Sequence, residues 1–388
     1  MTPQARLAAA IGIMDSVLAG ASAEQTLTTW ARKHRYAGSG DRAAIRDLVF
    51  SAIRCRRSYG TLGGAETGRG LMLGYLRDRG EDPAAWFTGG AYAPDVLSAA
   101  EKDVLAREPA LPGNVACDCP DWLAPRLRQS LGDEFLPVMK MFRQRAPVFL
   151  RVNRSKASTE QAVKSLICEG IEVQAHPLSP TALEAVGNPR RIQQARAYRD
   201  GWVELQDAAS QAVCDRIPLR PQDRVLDYCA GGGGKSLALA ARGACDILAH
   251  DADATRMRDI PMRAARAGGR IRRISDPASA APYDVVLCDV PCSGSGAWRR
   301  SPEGKWRLTE KRLKELQQVQ AEILARAAQL VASGGWLAYA TCSVLQEENE
   351  QSVSRFLEDF PEWRLGEEHR FSPLDGGDGF FLALLSHT

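Results

Sequence analysis

Histidine is scarce, and the five in the chain, His34, His176, His250, His369 and His387, are scattered. The one close cysteine pair, Cys117 and Cys119, has no second pair at finger spacing, so a zinc framework is excluded and no metal is expected. No apolar run reaches transmembrane length and no N-terminal secretory segment is visible, which excludes a membrane span and predicts a cytoplasmic protein. In that reducing setting the ten cysteines are expected to be free thiols. Surplus charge is lacking too: with a net charge of +3, any affinity for nucleic acid must come from local patches. No internal repeat or low-complexity tract appears. What remains is 388 residues, 45% of them hydrophobic, enough for two or three domains in a chain expected to act as a monomer.

The chain is organised around Arg224 to Ser236, RVLDYCAGGGGKS: a β-prone run reaches Asp227 and breaks into Gly231, Gly232, Gly233 and Gly234 before an apolar helical run. Glycines here let backbone approach a ligand that a Cβ would hold off. A phosphate-binding P-loop needs glycine five residues before Gly234-Lys235, where Cys229 stands. A dinucleotide fingerprint fails as well, because its third glycine falls on Ser236 or Leu237. S-adenosylmethionine, with no diphosphate to hold, tolerates the looser pattern. Downstream, DVVLCD ends at Asp289 just before Cys292, and WLAYAT ends just before Cys342. In a parallel sheet, ligands bind beyond the carboxyl ends of the strands, so two cysteines converge on one cleft.

DYCAGGGGKS, DVPCSGSGAWRRSPEGKW and YATCSVLQEENE resemble the signature motifs of the Nop/Sun family of RNA cytosine-C5 methyltransferases, over a stretch from about Arg145 onward. The resemblance implies a doubly wound, Rossmann-like class I methyltransferase sheet over 206–388. A small α+β module over 145–205 and an all-α bundle over 1–144 precede it. Alternating strands and helices after Gly201 agree with such an α/β sheet, with GDGFFLALL as its antiparallel edge strand. The bundle reads from Leu7, Ile11, Met14 and Leu18, a capping box at Ser22 and Gln25, and a helix from Asp41 with Ile45, Leu48, Val49, Ala52 and Ile53 on one face. The stretches ARLAAAIGIMDSVL and GDRAAIRDLVFSAIR resemble the NusB-like RNA-binding domain of bacterial ribosomal-RNA members. Glycines between Tyr59 and Gly70 read as a loop, and Trp86 and Trp122 as core aromatics. Arg143, Arg145, Arg151, Arg154 and Lys156 flank a strand that is either RNA-contacting or merely solvated.

Carbon 5 of cytosine is too weak a nucleophile to take a sulfonium methyl unaided. A thiolate adding at carbon 6 makes it one, so the chemistry needs an activated cysteine and a partner for the pyrimidine edge. Spacing does not say which cysteine attacks. The resemblance implies Cys342 as nucleophile, Cys292 in release of the product and Asp289 on the pyrimidine edge. It also implies Lys235 near the reacting groups, where its charge favours a thiolate. DNA cytosine methyltransferases attack with the Pro-Cys residue instead and lack the second cysteine. For the methyl donor, S-adenosylmethionine, the resemblance implies Cys229, Ala230, Gly231 to Gly234, Lys235 and Asp289, with Asp251 on the ribose and Asp276 on the adenine. The family turn is CAAPGGKT; here Gly231, Gly232 and Ser236 replace alanine, proline and threonine. Cys229, Cys245 and Cys288 also read as small buried hydrophobes. Arg299 and Arg300, among other basic residues with Trp298 and Trp306 interleaved, are expected to contact RNA, ribosomal RNA above transfer RNA. A nucleotide hydrolase and a non-catalytic RNA-binding factor are the rival readings; Cys229 and the cysteine pair oppose them.

Overall fold

Apolar residues three and four apart make the N-terminal third of the chain helical. The computed structural model describes residues 1–108, 110–243 and 246–387 and divides the chain into two units. The first comprises Met1–Arg128, Gly132–Arg145 and Trp298–Arg307. Its helix Pro3–Leu18 starts where the Thr2 hydroxyl accepts the Ala5 N–H at 3.2 Å, with proline in the first turn. It buries Leu7, Ala10, Ile13 and Met14 against Ile45, Val49, Ala52 and Ile53 of helix Ser39–Arg54. Ser22 stands at the start of helix Ala23–Lys33 without a side-chain cap bond. The Ala23 N–H instead donates to Glu303 at 3.2 Å, so the expected capping box is replaced by a residue 280 positions away.

The glycine-rich stretch after Tyr59 is not a loop. It forms helices Arg56–Gly63 and Gly68–Asp78, which cross with backbones in contact. A Cβ on Gly74 would lie 1.9 Å from the Tyr59 carbonyl oxygen, and one on Gly63 equally close to that of Gly70. Only glycine permits that approach.

The second unit comprises Gln129–Leu131, Ala146–Ala297 and Leu308–Thr388 and holds two sheets. The smaller has strands β1 (Phe149–Val152), β2 (Val173–Ala175), β3 (Ala182–Ala185) and β4 (Val203–Leu205), ordered β2-β3-β1-β4 and antiparallel throughout. Helix Thr159–Cys168, boxed at Ser158 and Gln161, packs on it over Leu150, Val152, Leu166 and Ile171. The basic residues flanking β1 serve the fold. Arg151 is buried and donates to Gln206 at 3.0 Å and to the Gly234 carbonyl at 3.3 Å. Lys156 donates to the carbonyls of Asp200 and Arg266 at 2.9 and 2.6 Å, and in the first unit Arg143 and Arg145 pair with Asp78 and Asp47.

The larger sheet runs β10-β11-β9-β8-β5-β6-β7. Its strands are β5 (Arg224–Asp227), β6 (Asp246–Ala249), β7 (Ile271–Arg273), β8 (Tyr283–Asp289), β9 (Val331–Thr341), β10 (Trp363–Phe371) and β11 (Phe380–His387). β5 to β9 are parallel, while β11 pairs antiparallel with β9 and β10 with β11. β11 is therefore antiparallel as expected but internal, and β10 forms the edge. The connection from β5 runs outward through β6 and β7, then returns to place β8 on the other side of β5. That reversal opens a crevice at the carboxyl ends of β5 and β8. Among the described residues no helix is long and apolar enough to cross a membrane.

Candidate active site

β5 delivers Asp227 to the crevice floor, 1% exposed, with its Oδ2 accepting the Ser236 hydroxyl at 2.6 Å. Its Oδ1 is buried, with no hydrogen-bond partner among the described residues. Burial pushes this carboxyl up from 3.8 to about 7, against the pull of the Ser236 bond and aided by nearby Asp289. An acid raised in the folded state lends stability that is full below its unfolded value and lost as pH climbs through about 7. Asp227→Asn is therefore expected to melt above the parent at about pH 8 and to lose that advantage by about pH 4, as followed by calorimetry. An advantage that grew on acidification would show the carboxylate itself to be stabilising.

Above Asp227 the chain turns through Cys229 to Gly234. Gly231 and Gly233 take φ values of +50° and +78°, where a side chain is strained, and a Cβ on Gly233 would meet Ile260 at 2.8 Å. The Ala230 N–H donates to the His250 carbonyl at 2.8 Å, and the Gly231 N–H to Asp251 Oδ2 at 2.9 Å. Asp251, just beyond β6, is buried and also receives the Asp253 N–H and the Arg256 guanidinium, both at 3.0 Å. Asp276, beyond β7, is exposed and caps the following turn at Ala278. A cradle of backbone and acids at three neighbouring strand ends thus borders one crevice. Its chemistry fits a nucleoside bearing a cationic amino-acid tail: carboxylates for hydroxyl and amino groups, and bare backbone where the tail would lie.

Lys235 is buried and donates from Nζ to Asp289 Oδ2 at 2.6 Å, while resting 4.8 Å over the Phe380 ring. Burial opposes its charge, but the Asp289 carboxylate outweighs burial and holds the ammonium above the usual lysine range. Beyond β8 and β9, Cys292 Sγ and Cys342 Sγ stand 3.4 Å apart, both partly accessible. Its hydrogen bond to Cys342, then burial, push the Cys292 thiol well up. Cys288, facing the core of β8, is fully buried and Cys229 half-buried; Cys245 lies outside the described residues.

One expectation needs correction. Arg299 is 5% exposed inside the helical unit, where its Nη2 donates to the Arg145 carbonyl at 3.2 Å and its own carbonyl accepts from Arg54 at 2.9 Å. It is therefore not presented to a nucleotide; Arg300 is exposed. Trp298, 1% exposed, packs edge-on to Phe142 and is a core ring of that unit, not a stacking platform. The apolar demand of the helical core claims this segment, although it follows Cys292 by only six residues.

Glu348 went unnoticed in the sequence because it is one acid in the run Glu347-Glu348-Asn349-Glu350. In the fold it is fully buried against the residues that follow both cysteines. An acid two to six residues past a strand-end cysteine, with serines beside both cysteines, was the available signal.

Residues 216–386 match the family described as 16S rRNA methyltransferase RsmB/F, and residues 119–190 match the ferredoxin-like domain of RsmF/B-like methyltransferases. A ribosomal RNA small subunit methyltransferase B from Yersinia pestis bv. Antiqua (strain Angola) is 32% identical over 283 residues, 68% of this chain and 65% of that protein. The match thus spans less than two thirds of that relative's length. Among solved structures, that of PH0851 superposes with a TM-score of 0.77 at 24% identity, covering 100% of this chain and 99% of that one. That of NSun6 from Pyrococcus horikoshii with SFG gives 0.62 at 18% identity, covering 69% and 98%. At such identities these two likenesses are of fold. With its methyltransferase and ferredoxin-like regions both matched, the chain belongs to the RsmB/F branch of the Nop/Sun family.

Proposed function

We propose that the chain transfers a methyl group from S-adenosylmethionine to carbon 5 of a cytidine in RNA of the small ribosomal subunit, through a covalent cysteine adduct at carbon 6. The observation that carries this reading is the cysteine pair, Sγ to Sγ 3.4 Å, at the strand ends beside the glycine cradle. S-adenosylmethionine, when bound, supplies an electrophilic methyl group. Asp251 and Asp276 would hold its nucleoside and the Cys229 to Gly234 turn its amino-acid end; the crystallisation of the NSun6 relative with SFG, an analogue, supports this. Holding the ribose would require Asp251 to exchange its bond to Arg256, which is half exposed and leaves without opening the core.

Cys342 adds as thiolate to carbon 6 of the cytosine, forming an S–C bond and placing an electron pair at carbon 5. Asp289, fixed by Lys235, borders the pyrimidine edge while that charge develops. After carbon 5 is methylated its proton is lost and the S–C bond breaks, returning the thiolate; Cys292 assists this release. Exposed Arg300 would meet the RNA backbone. The helical unit would add RNA affinity without chemistry, since neither cysteine, the glycine turn nor the strand-end acids lie in it.

One equivalent of S-adenosylmethionine or S-adenosylhomocysteine is expected to bind per chain by titration calorimetry, and Asp251→Asn is expected to weaken it about tenfold, the loss of one charged acceptor. Tight binding of ATP with no response to S-adenosylhomocysteine would favour a nucleotide hydrolase. Nucleoside analysis of small-subunit RNA treated with the chain is expected to show new 5-methylcytidine; methyl groups on another base would end the reading.

A further inference from the structure

The buried polar groups around the two cysteines converge on Glu348, to which the reaction above assigns nothing. Its Oε1 accepts the Ser293 N–H at 2.8 Å and the Gln320 amide at 3.0 Å. Its Oε2 accepts the Ser343 hydroxyl at 2.6 Å and the Ser293 hydroxyl. Ser293 follows Cys292 and Ser343 follows Cys342, so one carboxylate ties together the residues next to both thiols. The tie is doubled: Gln320 also donates to the Pro291 carbonyl at 3.0 Å, on the other side of Cys292, and Ser295 meets Ser343 at 2.9 Å. Glu348, Gln320 and Ser295 are each fully buried, so no water competes for these bonds. From the backbone side, Tyr339 of β9 donates to the Glu348 carbonyl at 2.5 Å and locks the turn that carries it.

We infer that Glu348 is a positioning residue whose buried carboxylate staples the two cysteine loops and sets a negative charge beside the Cys292 thiol. The hydrogen bond to Cys342, burial and the nearby Glu348 carboxylate disfavour a thiolate at Cys292, against the Gly294 N–H, which favours one. Lys235, paired with Asp289, lies instead within electrostatic reach of Cys342. A staple without charge would fix distance; a buried charge also opposes ionisation of the thiol beside it.

The inference rests on the cysteine-adduct reading, but its test reads the thiols directly, with neither RNA nor cofactor present. The full chain and its Glu348→Gln variant are alkylated with iodoacetamide over a range of pH, and the rate at each cysteine is resolved by mass spectrometry. Thiolate attacks and iodide leaves, so the pH midpoint reports ionisation, and the limiting rate at high pH reports access. Glu348→Gln is expected to speed Cys292 alkylation about tenfold near neutrality by moving its midpoint down, with the limiting rate unchanged. An unmoved midpoint with a raised limiting rate would reduce Glu348 to packing and overturn the inference. Should the glutamine variant not fold, Ser343→Ala keeps the charge and removes one of its donors. Alkylation of Cys292 is then expected to slow, whereas acceleration would overturn the proposal. A parent chain that never methylated RNA would leave these profiles as they are, so the two readings fail separately.

Discussion

Cys342→Ala is expected to abolish methylation and to leave no protein–RNA complex on a denaturing gel, while Cys292→Ala is expected to accumulate a complex that survives denaturation. The thiols are 3.4 Å apart, so distance does not choose between them. The family resemblance assigns the attack to Cys342, and the charged Lys235 lies within electrostatic reach of it. Without Cys342 no thiolate adds to carbon 6, carbon 5 stays inert, and the turnover lost is the whole of covalent catalysis. Without Cys292, addition and methyl transfer still proceed, and breakdown of the adduct is the step that stalls. The readout is labelled RNA incubated with S-adenosylmethionine and each variant. An adduct with Cys342→Ala and none with Cys292→Ala would reverse the roles, and two active variants would remove the cysteine mechanism.

The second large effect is on stability. Trp298→Ala is expected to cost about 3–5 kcal/mol by chemical denaturation, the usual penalty for emptying a buried indole site. The ring is 1% exposed and packs 5.7 Å from Phe142. The segment around it is anchored at every turn. Lys305, fully buried, donates to the Arg54 carbonyl at 3.2 Å, Trp306 to the Ile53 carbonyl at 2.6 Å, and Glu303 receives the first N–H of a helix. Removal of residues 1–144 would therefore uncover Trp298, Lys305 and Trp306 together, and a chain so truncated is a poor test of RNA targeting. Trp298→Ala with unchanged stability and weakened RNA affinity would instead make the ring a stacking platform.

The parts of this molecule that were legible in its sequence are those whose chemistry is local. Asp227 before four glycines, Asp289 three residues before Cys292, and Cys342 at the end of an apolar run each announce a strand end, and the sheet brings them together. Where meaning depends on a distant partner, the sequence is silent or misleading. Gly63 and Gly70 look like loop glycines, because nothing nearby says that other backbone must pass where their Cβ atoms would be. β10 was missed because seven of its nine residues, Arg364 to Arg370, lie outside the core, so no alternating apolar pattern marks it. Arg299 resembles a surface cation beside an active site, and its burial follows from the ring next to it, not from its own charge. Glu348 is one acid among neighbours, distinguished only by the four donors that reach it.

Covalent activation of carbon 5 is tested by release of tritium from that carbon. Small-subunit RNA carrying tritium at carbon 5 of its cytidines is incubated with the full chain and S-adenosylmethionine, and label appearing in water is counted against methyl groups transferred. One tritium is expected to be released for each methyl gained, with both lost in Cys342→Ala. Methyl transfer without tritium release would place the new group on another atom and contradict the account.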